Sequence, residues 1–226
     1  MGCVFGCGVA RLKGECGIPY ERRLIMPGSL PWRKGKGGGD APWYSFDFGP
    51  VHLTQMSTEH AFHPGSTQHA FVMADLASVN RTNTPWLIVG FHRPFYIDST
   101  FDGPANSDQQ VARDLRAAFE DAFIAHGVDM TWSGHHHSYQ RTCPVIRGEC
   151  VGDGVKAPVH VVLGHAGACL TDNLKEETPA IFDEVVVKHG YTRVVATRKY
   201  LGMESFAFET ENDGDGEIID KFELHK

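Results

Sequence analysis

The chain has 226 residues, of which 42% are hydrophobic and 22% charged, so it has the composition of a globular protein and enough length to bury a core. Its formal net charge of -7 argues against a nucleic-acid partner, and no stretch approaches the roughly 18 consecutive apolar residues of a membrane span. The 13 histidines are unusual, and because histidine is the commonest metal ligand they direct attention to a metal site.

The elements predicted along the chain follow an irregular N-terminal segment, residues 1–42, in which glycine and proline recur. Residues 1–17 of this segment lack the apolar core of a signal peptide. Alternating or continuous apolar residues then predict strands over 51–56, 86–89, 128–133, 159–164, 191–198, 204–210 and 217–224. Amphipathic periodicity predicts helices over 65–80 and from Ser107 to the stop signal at Gly127.

This order of elements predicts the fold class. Strands and helices alternate in the first part of the chain, and strands dominate from residue 159 onward. We therefore expect a layered α/β or α+β fold in which sheets are flanked by helices.

Candidate metal ligands follow two of the predicted strands. His92 comes shortly after residues 86–89, and the run Gly134-His135-His136-His137 comes directly after residues 128–133. Loops at strand ends are common functional positions, and in an extended segment His135 and His137 would point the same way. An isolated His-x-His is as often part of an ordinary surface loop, but the third imidazole of His92 favours a metal site.

The sequence around these histidines resembles a known family. Residues 89–96 read VGFHRPFY and residues 134–145 read GHHHSYQRTCPV, and both resemble metal motifs of the purple acid phosphatases, which are calcineurin-like metallophosphoesterases. The likeness extends to GECG at 14–17, YERR at 20–23, WYSFDFGPVH at 43–52, STEH at 57–60 and the strand pair within 213–224. It covers nearly everything from about residue 14 to residue 226.

This resemblance implies a fold, a domain division and a chemistry. Residues 43–226 would form the C-terminal portion of a metallophosphoesterase β-sandwich flanked by helices, with 156–226 corresponding to the family's C-terminal region. The family hydrolyses phosphomonoesters with a metal-bound hydroxide at a site that holds Fe³⁺ and a divalent zinc, manganese or iron ion. By that pattern His92 and His135 would bind the divalent ion and His137 the ferric ion.

Three further residues receive secondary roles from the same resemblance. Tyr139 and Arg141 would orient the metal ligands, although packing explains Tyr139 equally well. Arg93 could face the phosphate of the substrate, and a structural salt bridge is the alternative. His136 lies at the variable position of its motif and receives no ligand role.

The chain also departs from the family. The three earlier motifs, Gly-Asp-x-Gly, Gly-Asp-x-x-Tyr and Gly-Asn-His-Glu or -Asp, do not occur in residues 1–40, and residues 1–13 do not resemble the family. We therefore expect an incomplete chain with impaired activity that binds at most one zinc ion weakly. Two alternatives stay open: a non-catalytic remnant that acts as a binding or regulatory module, and a phosphodiesterase or nucleotide pyrophosphatase of the same superfamily.

Two features indicate an oxidising, secretory compartment for a full-length form. Cys143 and Cys150 enclose six residues, a spacing that a small disulfide loop can close. Asn80 begins an Asn-Arg-Thr sequon for N-glycosylation. The sequence gives no indication of the oligomeric state.

Overall fold

The computed structural model describes residues 42–152, 154–208 and 216–226. These residues form strands β1 (Tyr44–Phe48), β2 (Val51–Gln55), β3 (Trp86–Gly90), β4 (Met130–Ser133), β5 (Tyr139–Ile146), β6 (Glu149–Cys150), β7 (Val159–Leu163), β8 (Phe182–Val186), β9 (His189–Ala196), β10 (Tyr200–Phe208) and β11 (Glu217–His225). The helices are α1 (Thr67–Ser78) and α2 (Asp108–Ala125). The predicted irregular segment lies outside the described residues, except for residue 42.

Both helices are capped at their N-termini by a serine, which sets where each helix begins. The side chain of Ser66 accepts a hydrogen bond from the backbone N–H of His69 at 3.1 Å, and that of Ser107 accepts one from Gln110 at 3.4 Å. Each serine satisfies one of the N–H groups that a helix start leaves without an internal partner. Ser107 confirms the predicted start of α2.

The strands form two sheets within the described residues. The larger sheet has the order β1-β2-β3-β4-β7-β5-β6, and β8 pairs with the far side of β5. Its centre, β2, β3, β4 and β7, is parallel, and the outer strands are antiparallel. The smaller sheet is antiparallel, in the order β11-β10-β9.

The alternation of side chains along β3 shows how the layers stack. Leu87 and Val89 join the core between the large sheet and the two helices, whereas Trp86 and Ile88 join a second core against the small sheet. The predicted stripe of α2 supplies the first core with Val111, Leu115, Phe119 and Phe123. The order of layers is therefore helices, large sheet and small sheet, which confirms the predicted layered fold.

The sequence did not predict β5 and β8 as strands. β5 alternates poorly because it is buried on both faces, and it contains Pro144 next to a break in its register with β7. β8 reads Phe-Asp-Glu-Val-Val, so its two acidic residues weaken the strand pattern, and within the described residues it pairs with β5 alone. The turn-rich residues that precede β11 lie mostly outside the described part of the chain. Neither described helix is long and apolar enough to cross a bilayer.

A disulfide closes the hairpin formed by β5 and β6. It joins Cys143 to Cys150, the pair that the sequence singled out. Arg147 and Gly148 form the turn, with φ of 51° and 83°, and two positive φ values match the twist of a two-residue hairpin. The bond thus lies next to the core, since Cys143 is buried.

A buried carboxylate, Asp75 of α1, joins the helix layer to the edge of the large sheet. It accepts hydrogen bonds from Ser45 and Thr54, each at 2.6 Å, and lies 3.2 Å from Nε2 of His52. Nδ1 of the same imidazole lies 2.6 Å from Asp47. Burial by itself would lower the pKa of His52, but the hydrogen bonds to Asp75 and Asp47 outweigh it and raise the pKa above its ordinary value of 6.5.

This raised pKa predicts a pH-dependent stability. The protonated His52 contributes fully below pH 6.5, and its contribution is lost as pH rises through the folded-state pKa. At low pH we expect His52→Gln to lose about 1.5–3 kcal/mol of unfolding free energy, typical of a hydrogen bond to a charged group. Urea unfolding at a pH below 6.5 and at a pH well above the raised folded-state pKa measures this, with His63→Gln, at an exposed histidine, as control. An equal loss at both pH values would contradict it.

The disulfide gives a second prediction. Peptide mapping without reductant should recover Cys143 linked to Cys150, and reduction should cost about 2–3 kcal/mol, as the chain-entropy model predicts for so short a loop. Denaturant unfolding with and without reductant measures the difference, and the Cys143→Ala, Cys150→Ala double variant should show no effect of reductant. Two free thiols in secreted protein would contradict the assignment.

Candidate metal centre

Neighbouring parallel strands bring His92 and His135 together. β3 and β4 are paired in register, and the loops that follow them stay hydrogen-bonded: the N–H of Phe91 donates to Trp132 at 3.1 Å, and that of Gly134 donates to the carbonyl of His92 at 2.9 Å. Both histidines therefore leave the same edge of the sheet, on adjacent loops.

The two imidazoles present nitrogen atoms to each other. Nε2 of His92 lies 3.1 Å from Nδ1 of His135, and the ring planes are nearly perpendicular at 82°. Two nitrogens that bind one tetrahedral zinc ion at about 2.0–2.1 Å lie about 3.3 Å apart. The two donors are thus spaced as neighbouring ligands of a single ion. Partial desolvation, followed by the charge of His135, lowers the pKa of His92 and favours the neutral form that binds metal.

The backbone at His135 differs from the prediction. An extended segment was expected to point His135 and His137 in the same direction, but His135 has a φ of 67°, in the left-handed region. Two tight turns cause this: the N–H of His136 donates to Gly134 and the N–H of Ser138 donates to His136, each at 2.8 Å. The extended prediction was wrong because these local hydrogen bonds replace strand geometry.

His137 is held by a contact of its own, with the loop that contains Cys169. Its Nδ1 contacts the carbonyl oxygen of Cys169, and since a carbonyl only accepts, Nδ1 carries the proton and Nε2 keeps its lone pair. In the described part of the chain, no cluster of three or more histidine, cysteine, aspartate or glutamate side chains is placed to hold a metal ion. The structure therefore brings together His92 and His135 as a two-imidazole site, with His137 outside that pair.

Asp108 is a site residue that sequence reasoning missed. Its Oδ1 lies 3.1 Å from Nε2 of His135, on the opposite side of the ring from His92. Burial would raise the pKa of Asp108, but hydrogen bonds from His135 and Ser99 lower it below its ordinary value, so the carboxylate is ionised. The sequence signal was present but ambiguous, because an acidic residue directly after the serine cap Ser107 is typical of any helix start.

Comparison with known proteins bears on this arrangement. No protein-family model matches the chain. It is 31% identical over 224 residues to "Probable inactive purple acid phosphatase 9" of Arabidopsis thaliana, a match that covers 93% of this chain and 33% of that protein. It is 30% identical over 223 residues to "Acid phosphatase type 7" of Mus musculus, which covers 89% of this chain and 48% of that protein. The structure of purple acid phosphatase PPD1 from yellow lupin superposes with a TM-score of 0.77 at 26% identity, over 94% of this chain and 36% of that one.

This chain is a relative of the purple acid phosphatases. The resemblance inferred from residues 89–96 and 134–145 is thereby confirmed, together with the fold. The chain spans about a third of the Arabidopsis relative and about half of the mouse one.

In this purple acid phosphatase relative, Arg93 forms the salt bridge that was the alternative to a phosphate-facing role. Its Nε donates to Glu59 at 2.7 Å and its Nη1 donates to the carbonyl of Asn106 at 3.0 Å. The same Nη1 lies 3.4 Å from Nε2 of His135. The guanidinium is buried beside the candidate metal centre, and its N–H groups are directed at protein acceptors.

Tyr139 and Arg141 contact the small sheet rather than the histidine rings. The hydroxyl of Tyr139 donates to Asp220 at 2.6 Å, and Nε of Arg141 donates to the same carboxylate at 2.5 Å. Arg141 also donates to Asp183 at 2.6 Å. Any effect of these residues on the histidines is transmitted through β5, which begins at Tyr139.

His136, which received no ligand role, is buried inside the loop. Its Nδ1 lies 2.8 Å from Ser138 and its Nε2 lies 3.0 Å from Asn173. A side chain at Gly164 would place its Cβ 2.0 Å from the carbonyl oxygen of His136, so glycine is required there. The turn that carries the histidines is therefore held from both sides.

The paired imidazoles predict a zinc-binding phenotype. His92→Ala and His135→Ala should each reduce zinc affinity by at least about 10-fold, because a two-ligand site keeps only one imidazole in either variant. Isothermal titration calorimetry of each variant measures this. The exposed His225→Ala serves as control and should bind as the unmodified chain does. Unchanged affinity in both site variants would show that zinc binds elsewhere.

Proposed function

We propose that this protein is a phosphoesterase of the acid phosphatase type, that it acts on phosphomonoesters, and that the chain of 226 residues has weak activity. The observation that carries the proposal is the 3.1 Å separation between Nε2 of His92 and Nδ1 of His135 at the edge of a purple acid phosphatase fold. The mouse relative is named an acid phosphatase, which supports the reaction class, and the Arabidopsis relative is named a probable inactive one, which supports a low rate of hydrolysis.

The residues fit a divalent ion such as zinc. His92 and His135 would hold it, and His137 would present Nε2 on the neighbouring side of the loop. A bound zinc ion supplies Lewis-acid charge that neutralises a phosphoryl group and makes water more acidic. The chain's own contribution is to orient these imidazoles, to lower the pKa of His92, and to place the charge of Arg93 behind His135.

Ferric iron does not fit the described residues. Fe³⁺ is a hard cation that prefers anionic oxygen ligands, and His137 is bonded to a backbone carbonyl with no acidic cluster around it in the described part of the chain. We therefore propose one weakly held divalent ion and no iron in the chain of 226 residues. Full phosphatase activity would need further ligands.

A secretory location accompanies the proposed function. The disulfide between Cys143 and Cys150 supports an oxidising compartment. Asn80, the proposed glycosylation site, lies exposed in a turn where its side chain accepts a hydrogen bond from the N–H of Thr82 at 3.0 Å. The side chains of Asn80 and Thr82, the first and last residues of the sequon, are both exposed and accessible for modification.

The test uses the whole chain of residues 1–226, supplied with zinc and iron. Metal analysis should find at most one zinc ion and little iron, visible spectroscopy should show no purple band, and hydrolysis of p-nitrophenyl phosphate should be slow but zinc-dependent. His135→Ala should abolish that residual hydrolysis, because an imidazole that binds the ion cannot be lost without a large loss of rate. The variant separates genuine turnover from a contaminant.

Other outcomes distinguish the alternatives. Two bound metals with rapid turnover would contradict the proposal and assign ligands to residues described above as structural. Faster cleavage of bis-p-nitrophenyl phosphate than of the monoester would favour a phosphodiesterase. Zinc binding without any hydrolysis would favour a non-catalytic binding module.

A further inference from the structure

A continuous chain of hydrogen bonds leads from the backbone of Asp98 toward His135. Its first member is Gln140, whose Oε1 accepts from the N–H of Asp98 at 2.8 Å. A backbone N–H only donates, so the side-chain oxygen of Gln140 is fixed. Its Nε2 donates one proton to the carbonyl of Asp98 at 3.0 Å, and the other faces both Nδ1 of His136 and Oγ of Ser138, each at 3.1 Å. The amide oxygen of Asn173 lies 3.0 Å from Nε2 of His136 and can only accept, so the proton of the neutral ring lies on Nε2, and Nδ1 faces Gln140 and Ser138 as an acceptor.

The direction of the chain is preserved through the next two residues. Because Oδ1 of Asn173 accepts from His136, its Nδ2 donates to Oγ of Ser99, at 2.9 Å. The N–H of Phe101 donates to the same oxygen at 3.1 Å. A hydroxyl has two lone pairs and one proton, so Ser99 must donate its proton onward. The acceptor is Oδ2 of Asp108, at 2.6 Å.

Asp108 ends the chain at the candidate ligand. Its other oxygen, Oδ1, lies 3.1 Å from Nε2 of His135, and a carboxylate can only accept. Nε2 of His135 therefore carries the ring proton. A neutral imidazole has one proton, so the lone pair of His135 lies on Nδ1, the atom that faces His92 at 3.1 Å.

Among the described residues, the charged neighbour that would favour the opposite tautomer is Arg93. Its Nη1 lies 3.4 Å from Nε2 of His135, longer than the Asp108 contact, and that nitrogen donates to Asn106 at 3.0 Å. An unprotonated Nε2 would also face the Asp108 oxygen with no proton between them. The contact with Asp108 therefore decides the tautomer.

We propose that Asp108 is a positioning residue that holds His135 in the Nε2-protonated tautomer. Ser99, which the buried chain from Asp98 fixes as a hydrogen-bond donor, holds the other oxygen of Asp108. The free lone pair on Nδ1 is thereby aimed at the ion that His92 shares. The metal part of this inference rests on the proposed function, whereas the tautomer itself does not. His136 gains a role as a relay in the chain.

Asp108→Asn is the informative substitution because its effect depends on which end of the new amide faces His135. Ser99 must still donate, so the amide oxygen of the asparagine is bound toward Ser99 and its NH₂ group toward His135. That forces the proton of His135 onto Nδ1 and blocks the metal-binding atom. The same carboxylate-to-amide change traps a histidine in the wrong tautomer in serine-protease triads.

The first measurement is the tautomer in the metal-free protein, read from long-range ¹⁵N–¹H correlation spectra of histidine-labelled chain. His135→Gln assigns the signals. Unmodified protein should show His135 protonated on Nε2, and Asp108→Asn should show it protonated on Nδ1. In the double variant Ser99→Ala, Asp108→Asn, the amide is free to turn its oxygen toward His135, so the Nε2-protonated form should return.

The second measurement is zinc affinity by titration calorimetry. Asp108→Asn should weaken binding about 10–100-fold, the range typical of residues that orient a metal-binding histidine. Asp108→Ala should weaken it less than Asp108→Asn does, and the double variant should recover most of the loss. Asp114→Asn, which removes an exposed charge from the same helix, should bind as the unmodified chain does. Thermal unfolding confirms that each variant is folded.

Two results would overturn the inference. One is metal-free unmodified protein with His135 protonated on Nδ1; the other is an Asp108→Asn variant that keeps the Nε2-protonated form. If the variants misfold, the tautomer of His135 in the unmodified protein still decides the question. Unmodified protein that shows the expected tautomers but binds no zinc would instead remove the proposed metal function and leave the hydrogen-bond chain in place.

Discussion

The buried carboxylate of Asp220 is the contact through which the small sheet holds the candidate site. It lies on β11 and accepts hydrogen bonds from Tyr139 and Arg141, at the start of β5. An ionised side chain is stable in such a place only when it is paired and hydrogen-bonded, and removal of one partner leaves a costly unpaired charge. Burial and the hydrogen bond to Asp220 raise the pKa of Tyr139 well above its ordinary value, so the phenol stays a neutral donor. The two β layers are thus locked directly beside the loop that carries the histidines.

The contact with Asp220 fixes the start of β5, and β5 in turn positions the side chains beside the candidate site. Gln140 is the residue after Tyr139, it is fully buried, and its amide orientation is set by the backbone of Asp98. A strand anchored at Tyr139 and Arg141 keeps that amide still, and the amide in turn directs His136. The candidate metal centre therefore depends on a side-chain network that is held by secondary structure rather than on loop geometry alone.

The described residues supply imidazoles at the edge of a fold that has the family's architecture. Strand ends supply imidazoles, because a histidine needs only a rigid position and a lone pair directed by a neighbour. The hard ligands that ferric iron requires are carboxylate and phenolate oxygens, and the acidic side chains near the site are committed to protein partners: Glu59 to Arg93, Asp108 to His135 and Ser99. That distribution is the basis of our proposal of a divalent ion rather than iron.

The sequence by itself determined the layered fold, the start of α2, the family and the three candidate histidines. These depend on local signals: apolar periodicity, the serine cap Ser107, and motifs of contiguous residues. Only the tertiary structure decided that His92 lies against His135, that Arg93 bonds to Glu59, and that Asp108 contacts His135. Sequence periodicity also placed His135 and His137 in an extended segment, where two short-range hydrogen bonds make a left-handed turn instead. The reason is that hydrogen-bond direction passes between residues as far apart as Asp98 and Gln140, or Ser99 and Asn173, and no pattern along the chain records which of them meet.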